Sequence, residues 1–110
     1  MNVARGDIVI AALSGDYGKP RPCLVIQSDI FSDLPSVTFC PLTSEIRKDV
    51  PLLRITVAPT PENGLREVSQ IAIDKISTLT KPRIAQRVGK ADEDVMLQVT
   101  RALAVFLGVG

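Results

Sequence analysis

DEDVMLQVTRALAVFLG, residues 92–108, is the segment of this 110-residue chain that reads most clearly as a helix. Asp92 is placed to cap it, and Glu93 and Asp94 fall in the first turn, where negative charge suits the helix dipole. Val95, Met96, Val99, Ala102, Leu103, Phe106 and Leu107 recur at helical spacing, with Gln98 and Arg101 on the polar side. Gly108 then stops it. A helix of about 16 residues is about 24 Å long, enough to lie across a small sheet.

Upstream of residue 92 the pattern changes. Asp7–Leu13 (DIVIAAL), Pro22–Gln27 (PCLVIQ), Ser36–Pro41 (SVTFCP), Leu52–Val57 (LLRITV) and Glu67–Ile73 are short apolar or alternating runs that read as strands. Arg5-Gly6-Asp7 reads as the turn into the first of them. Residues 75–88 fit either one more short strand or a helical turn starting near Pro82. Between the runs lie segments rich in Gly, Pro, Asp and Ser, notably residues 14–22 and 58–64 (APTPENG), the latter an exposed loop by composition. Five or six strands followed by one terminal helix give an α+β fold, a mostly antiparallel curled sheet in a single domain over residues 1–110.

Composition narrows the chemistry. The chain has 45% hydrophobic residues, two Cys, no His and a net charge of +1. One core is feasible at this length without disulfides or metals. With no imidazole, a Ser-His-Asp or Cys-His nucleophile and a His-based zinc site are excluded. Cys23 and Cys40 sit inside apolar runs and read as small buried hydrophobes. Arg5 and Asp7 interrupt the first apolar residues, so no signal peptide is expected, and no apolar run is long enough to span a bilayer. No membrane association and a cytoplasmic location are therefore expected. Charge is uneven: Lys75, Lys81, Arg83, Arg87 and Lys90 occur between residues 75 and 90 without an acid. That stretch suits a polyanion or a dimer rim, or is a solvated loop.

Three short motifs carry candidate chemistry. In Lys19-Pro20-Arg21-Pro22, two prolines restrict the backbone around an arginine. Its fork suits a phosphate, or it is a surface side chain in a rigid turn. Pro41-Leu42-Thr43-Ser44 sets two hydroxyls at a strand end, suited to phosphate oxygens or to capping a helical turn over residues 45–49. Asp74-Lys75 follows a β-branched run, as a turn residue or a poised base. Together they are the parts that clamp and polarise a phosphodiester.

Arg5-Gly6-Asp7-Ile-Val, Arg21-Pro22 followed by LVIQSD, the strand ending PLTS at 41–44, Ile73-Asp74-Lys75-Ile-Ser-Thr-Leu79 and the terminal helix ending in Leu-Gly resemble, in order, the MazF/PemK family. The resemblance implies an SH3-like barrel of the MazF/CcdB type with a C-terminal helix, a homodimer, and the toxin of a type II toxin–antitoxin system. It implies a metal-independent endoribonuclease that cuts single-stranded RNA, mRNA included, at short sequences. The ribose 2′-hydroxyl attacks the adjacent phosphate, leaving a 2′,3′-cyclic phosphate and a 5′-hydroxyl. No cofactor is implied, and a cognate antitoxin blocks the RNA groove with a disordered tail. By position, Arg21 matches the arginine that stabilises the developing phosphorane charge and protonates the leaving oxygen, Thr43 the hydroxyl beside the same phosphate, and Asp74 a carboxylate that acts with a nearby arginine. Some members carry that arginine two residues earlier, where this chain has Ala72. Ser44, Lys19 and Tyr17, with Lys75 and Lys81 of the basic stretch, are the expected substrate-binding residues; Tyr17 is a candidate base stacker or a loop anchor. The competing readings are a CcdB-like toxin that binds and poisons DNA gyrase, and a catalytically inert interaction module.

Overall fold

The structure, a computed structural model, describes residues 2–12 and 19–109. Among these residues are seven strands and one α-helix: β1 (Asp7–Ala12), β2 (Pro20–Val25), β3 (Ser36–Thr43), β4 (Arg54–Val57), β5 (Ser69–Ala72), β6 (Ser77–Thr80), β7 (Ile84–Lys90) and α1 (Glu93–Leu107). Every strand pair is antiparallel, in the order β4-β5-β3-β2-β1-β7, with β6 also paired to β3. The expected curled antiparallel sheet and terminal helix are present. The sheet is not closed, because β4 and β7 end it as separate edges among the described residues. The ambiguous stretch holds both of its readings: β6, then a 3₁₀ turn at Lys81–Arg83 built on Pro82, and then the start of β7.

Alternation along the strands sends side chains to two faces. Ile8, Leu24, Cys40, Leu42, Ile55 and Ile71 form the core on one face, closed by Val99 and Ala102 of α1. Val9, Ala11, Cys23, Val25, Val37 and Phe39 form a second cluster on the other face, with Ile84. Asp92 caps α1 by accepting the Val95 N–H at 2.8 Å. Gly108 ends it at φ 70°, a left-handed conformation that glycine adopts without a Cβ penalty. The buried stripe of α1 is shorter than its apolar pattern, since Phe106 and Leu107 remain exposed. Arg5 fastens the start of the chain to the opposite elements, donating to the Ile26 carbonyl and, at 2.8 Å, to Thr100 of α1.

Both cysteines are buried, and neither forms a disulfide among the described residues. Burial, and then the nearby Asp74 charge, push the Cys40 thiol up to about 12. It is a packing residue, not a nucleophile, at neutral pH.

The 58–64 loop is more ordered than its composition suggests. Buried Asn63 accepts from the Thr60 and Leu65 N–H groups through its side-chain oxygen, donates its own backbone N–H to Thr60 Oγ1, and donates its side-chain amide to the Ala58 carbonyl. The loop lies directly on β7: a Cβ at Gly89 would stand 2.3 Å from the Asn63 backbone, and the Lys90 N–H donates to the Glu62 carbonyl at 2.8 Å.

Candidate active site

The site begins where the β2–β3 ladder stops. Its pairs are Cys23↔Pro41, Leu24↔Cys40 and Val25↔Phe39. The next residue of β2 is Pro22, which has no N–H to donate. Continuing the register past the last pair sets Arg21 opposite Thr43. Both lie on the face that carries Cys23 and Phe39, at the open end of the second core cluster. β3 instead pairs at Leu42 and Thr43 with β5, and at Ser36–Phe39 with β6.

Between those two ladders the register slips, and Ile73–Lys75 is looped out as a 3₁₀ turn opposite Cys40 and Pro41. Ile73 is fully buried beneath α1 and pins the turn. Asp74, one residue on, is thereby displaced from the sheet into an open cavity of about 890 Å³ lined also by Arg21, Thr43, Arg54 and Lys75.

Arg54 opens β4 and pairs with Ala72 of β5. Its Nε and Nη2 donate to the two Asp74 carboxylate oxygens at 3.0 and 3.2 Å. The guanidinium side chain is 8% exposed and the carboxylate side chain 25%. Those hydrogen bonds, more than the charge of Arg54, hold the Asp74 carboxyl below the usual range against an opposing desolvation effect. Asp74 is therefore ionised at neutral pH and fixed in direction.

Thr43 Oγ1 accepts the Glu45 N–H at 3.1 Å. That is a turn contact, and no helix follows over residues 45–49, so the capping expectation is corrected. A hydroxyl that accepts there keeps its own proton to donate. The 45–49 segment is strapped down by Gln70, whose side chain exchanges two 2.9 Å hydrogen bonds with the Arg47 backbone in the manner of a peptide group.

A second cavity, of about 370 Å³, opens on the other side of Arg21 and Leu42, which line both. It contains Lys19 and Ser44. The expected residues thus divide: Arg21, Thr43, Asp74 and Lys75 share one cavity, Lys19 and Ser44 share the second with Arg21, and Tyr17 lies outside the described residues. Lys81 joins neither. Its ammonium donates to the Ser32 carbonyl in a small pocket beside residues 27–29. Nor do residues 75–90 form a single basic edge, because Arg87 pairs with buried Asp7 at 3.0 Å and Arg83 reaches the Ala12 carbonyl.

Residues 4–107 match the model of the family described as PemK-like, MazF-like toxins of type II toxin–antitoxin systems. The chain belongs to that family. A probable endoribonuclease MazF of Mycolicibacterium smegmatis is 49% identical over 106 residues, spanning 96% of each chain. Endoribonuclease EndoA of Bacillus subtilis is 30% identical over 114 residues, spanning 99% of this chain and 97% of its own. Among solved structures, a MazE–MazF structure from Deinococcus radiodurans superposes with a TM-score of 0.79 at 23% identity, covering 100% of this chain and 99% of that one. An endoribonuclease in complex with its cognate antitoxin, from a mycobacterial species, gives 0.78 at 24% identity, covering 98% and 97%. These structural likenesses carry the fold; the sequence relatives carry the activity. This MazF-like chain is a toxin of the endoribonuclease class, and the gyrase-poison alternative falls away.

Residue-by-residue reading of the MazF/PemK pattern misses Arg54. With Ala72 two residues before Asp74, the carboxylate looks deprived of its arginine, yet β-pairing delivers one from the neighbouring strand. The available signal is a lone charge in the run LLRITV: a buried guanidinium needs a carboxylate partner.

Proposed function

We propose that this toxin cuts single-stranded RNA by transesterification in the larger cavity. The observation that carries the reading is the convergence of Arg21 and Thr43, across the open end of β2 and β3, on a cavity that also holds an ionised, oriented Asp74. The nucleophile belongs to the substrate, so the protein needs only to orient and to stabilise charge. Arg21, cationic at any working pH, and the Thr43 hydroxyl donate to the phosphate oxygens as negative charge builds on them. Asp74 accepts from the ribose 2′-hydroxyl. Its lowered pKa makes it an orienting acceptor rather than a store for the proton, which passes to solvent. The 2′-oxygen bonds to phosphorus, the P–O5′ bond breaks, and O5′ takes a proton from water. Arg54 acts through Asp74 as a positioning residue, and Lys75 offers a cation to the backbone.

The same reading supplies the partners. A cognate antitoxin inhibits by laying a disordered tail in this groove. A homodimer covers the apolar end of α1, where Val105, Phe106, Leu107 and Val109 are exposed. The cytoplasm, where mRNA is met, is the site of action; among the described residues no helix is long and apolar enough to cross a membrane.

Primer-extension mapping of cuts on a long RNA tests this. Purified wild type is expected to cut at discrete sites, and folded Arg21→Ala to cut at least a hundredfold more slowly. That corresponds to about 2.7–4 kcal/mol for one lost transition-state donor. Near-normal cutting by the folded variant would remove Arg21 from the reaction.

A further inference from the structure

We propose that the second cavity is a subsite for the nucleotide on the 3′ side of the scissile phosphate, with Arg66 on its backbone phosphate and Gln86 on its base. This rests on the ribonuclease reading above. Continuity is the first argument. Arg21 and Leu42 line both cavities where the β2–β3 ladder has ended, so a strand whose phosphate sits on Arg21 has the second cavity as its neighbouring site.

The lining is complementary to a nucleotide. Lys19, Arg21 and Arg66 face a single acid, Glu67. Ile10, Leu65 and Val88 supply an apolar floor for a base, and Ser44 and Gln86 supply hydrogen-bonding groups at its edge. The volume, about 370 Å³, falls within the roughly 300–1,000 Å³ of small-ligand sites.

The far wall is fixed in advance. Gly64, Leu65 and Arg66 follow Asn63, whose hydrogen bonds hold the 58–65 loop. A Cβ on Gly64 would stand 2.2 Å from the Val88 carbonyl oxygen, so the loop is seated without a gap on β7, the strand that presents Gln86. Such preorganisation reduces the ordering cost of binding.

Direction follows from the chemistry. The attacking hydroxyl belongs to the nucleotide 5′ of the scissile phosphate, and the carboxylate that receives it, Asp74, is in the larger cavity. The smaller cavity is left for the 3′ nucleotide.

The test uses Arg66→Ala and Gln86→Ala, both at exposed positions and outside the groups assigned to bond making and breaking. Two RNA oligomers carry an abasic ribose immediately 3′ or 5′ of the cut. The expected result is a tenfold or greater loss of cleavage in the double variant. The 3′ abasic RNA should cost wild type a similar factor and the double variant nothing further, while the 5′ abasic penalty is the same in both. Anisotropy with an RNA carrying a 2′-deoxy residue at the cut measures binding without chemistry. There Arg66→Ala is expected to lower the slope of log K against log salt by about 0.7, one phosphate contact on single strands. Wild-type cleavage and binding by both variants, or a non-additive penalty on the 5′ side, overturns the subsite. Absence of cleavage by wild type sinks the ribonuclease reading instead, and the anisotropy arm still decides whether Arg66 and Gln86 hold RNA.

Discussion

A guanidinium buried on its own is costly, and a carboxylate set on a sheet edge is poorly oriented; in this chain Arg54 and Asp74 solve both problems at once. Ala72, the β5 residue directly opposite Arg54, carries only a methyl group, and both line the cavity that holds Asp74. The pair has a measurable signature. The Asp74 pKa is lowered by folding, so its contribution to stability is complete above the unfolded value of about 3.9 and is lost as pH falls through the folded value. Asp74→Asn removes a charge-assisted, bidentate contact from a mostly buried arginine. Urea unfolding at pH 7 is expected to show a loss of about 1.5–3 kcal/mol. At pH 3, below the unfolded value, the unfolded chain takes up a proton that the folded chain resists, so the gap between the two proteins is expected to narrow. An equal gap at both pH values would mean that the carboxylate is not ionised by its partner.

Elements with a self-contained signal were legible in the sequence. The Asp92 cap, the first-turn acids and Gly108 bound α1 by local chemistry, and short apolar runs between turn-rich segments placed β1, β3 and β5 within a few residues. What stayed hidden depends on neighbours. β2 starts at Pro20 because β1 alone pairs its first residues, which tolerates prolines that a strand flanked on both sides would not. The Ile73–Lys75 turn exists because β5 and β6 meet β3 in different registers, and no property of Ile-Asp-Lys announces that. Arg21, Thr43 and Asp74 were therefore legible as residue types, while Arg54 and the division into two cavities required the pairing. The 58–64 loop is solvent-facing as its composition reads, apart from buried Asn63, but its seat against Gly89 of β7 carries no local signal. Gly89→Ala would drive a methyl into Asn63, and a loss of about 1–3 kcal/mol is expected for such overpacking. Faster amide exchange confined to residues 60–65 and β7 would locate that loss in the loop contact, and unchanged exchange there would refute it.

At the scale of the whole molecule, the absence of histidine becomes a statement about rate. The chain has no imidazole anywhere, so no group with an unperturbed pKa near 6.5 exists to serve as acid or base. In the larger cavity, the hydrogen bonds from Arg54 hold Asp74 in the charged form, and Cys40 behind it is pushed up to about 12, so neither changes state near neutrality. On the mechanism proposed above, catalysis draws on the Arg21 guanidinium and the Thr43 hydroxyl, and the 2′-hydroxyl proton leaves to solvent. Single-turnover cleavage of a short RNA, followed from pH 5 to 7, is expected to give a logarithmic rate profile without an inflection. A paired-histidine nuclease would bend in that interval because its base is lost below its pKa. A midpoint near 6.5 in this protein would require a titrating base that the sequence does not contain, and would move the chemistry out of the cavity shared by Arg21, Thr43 and Asp74.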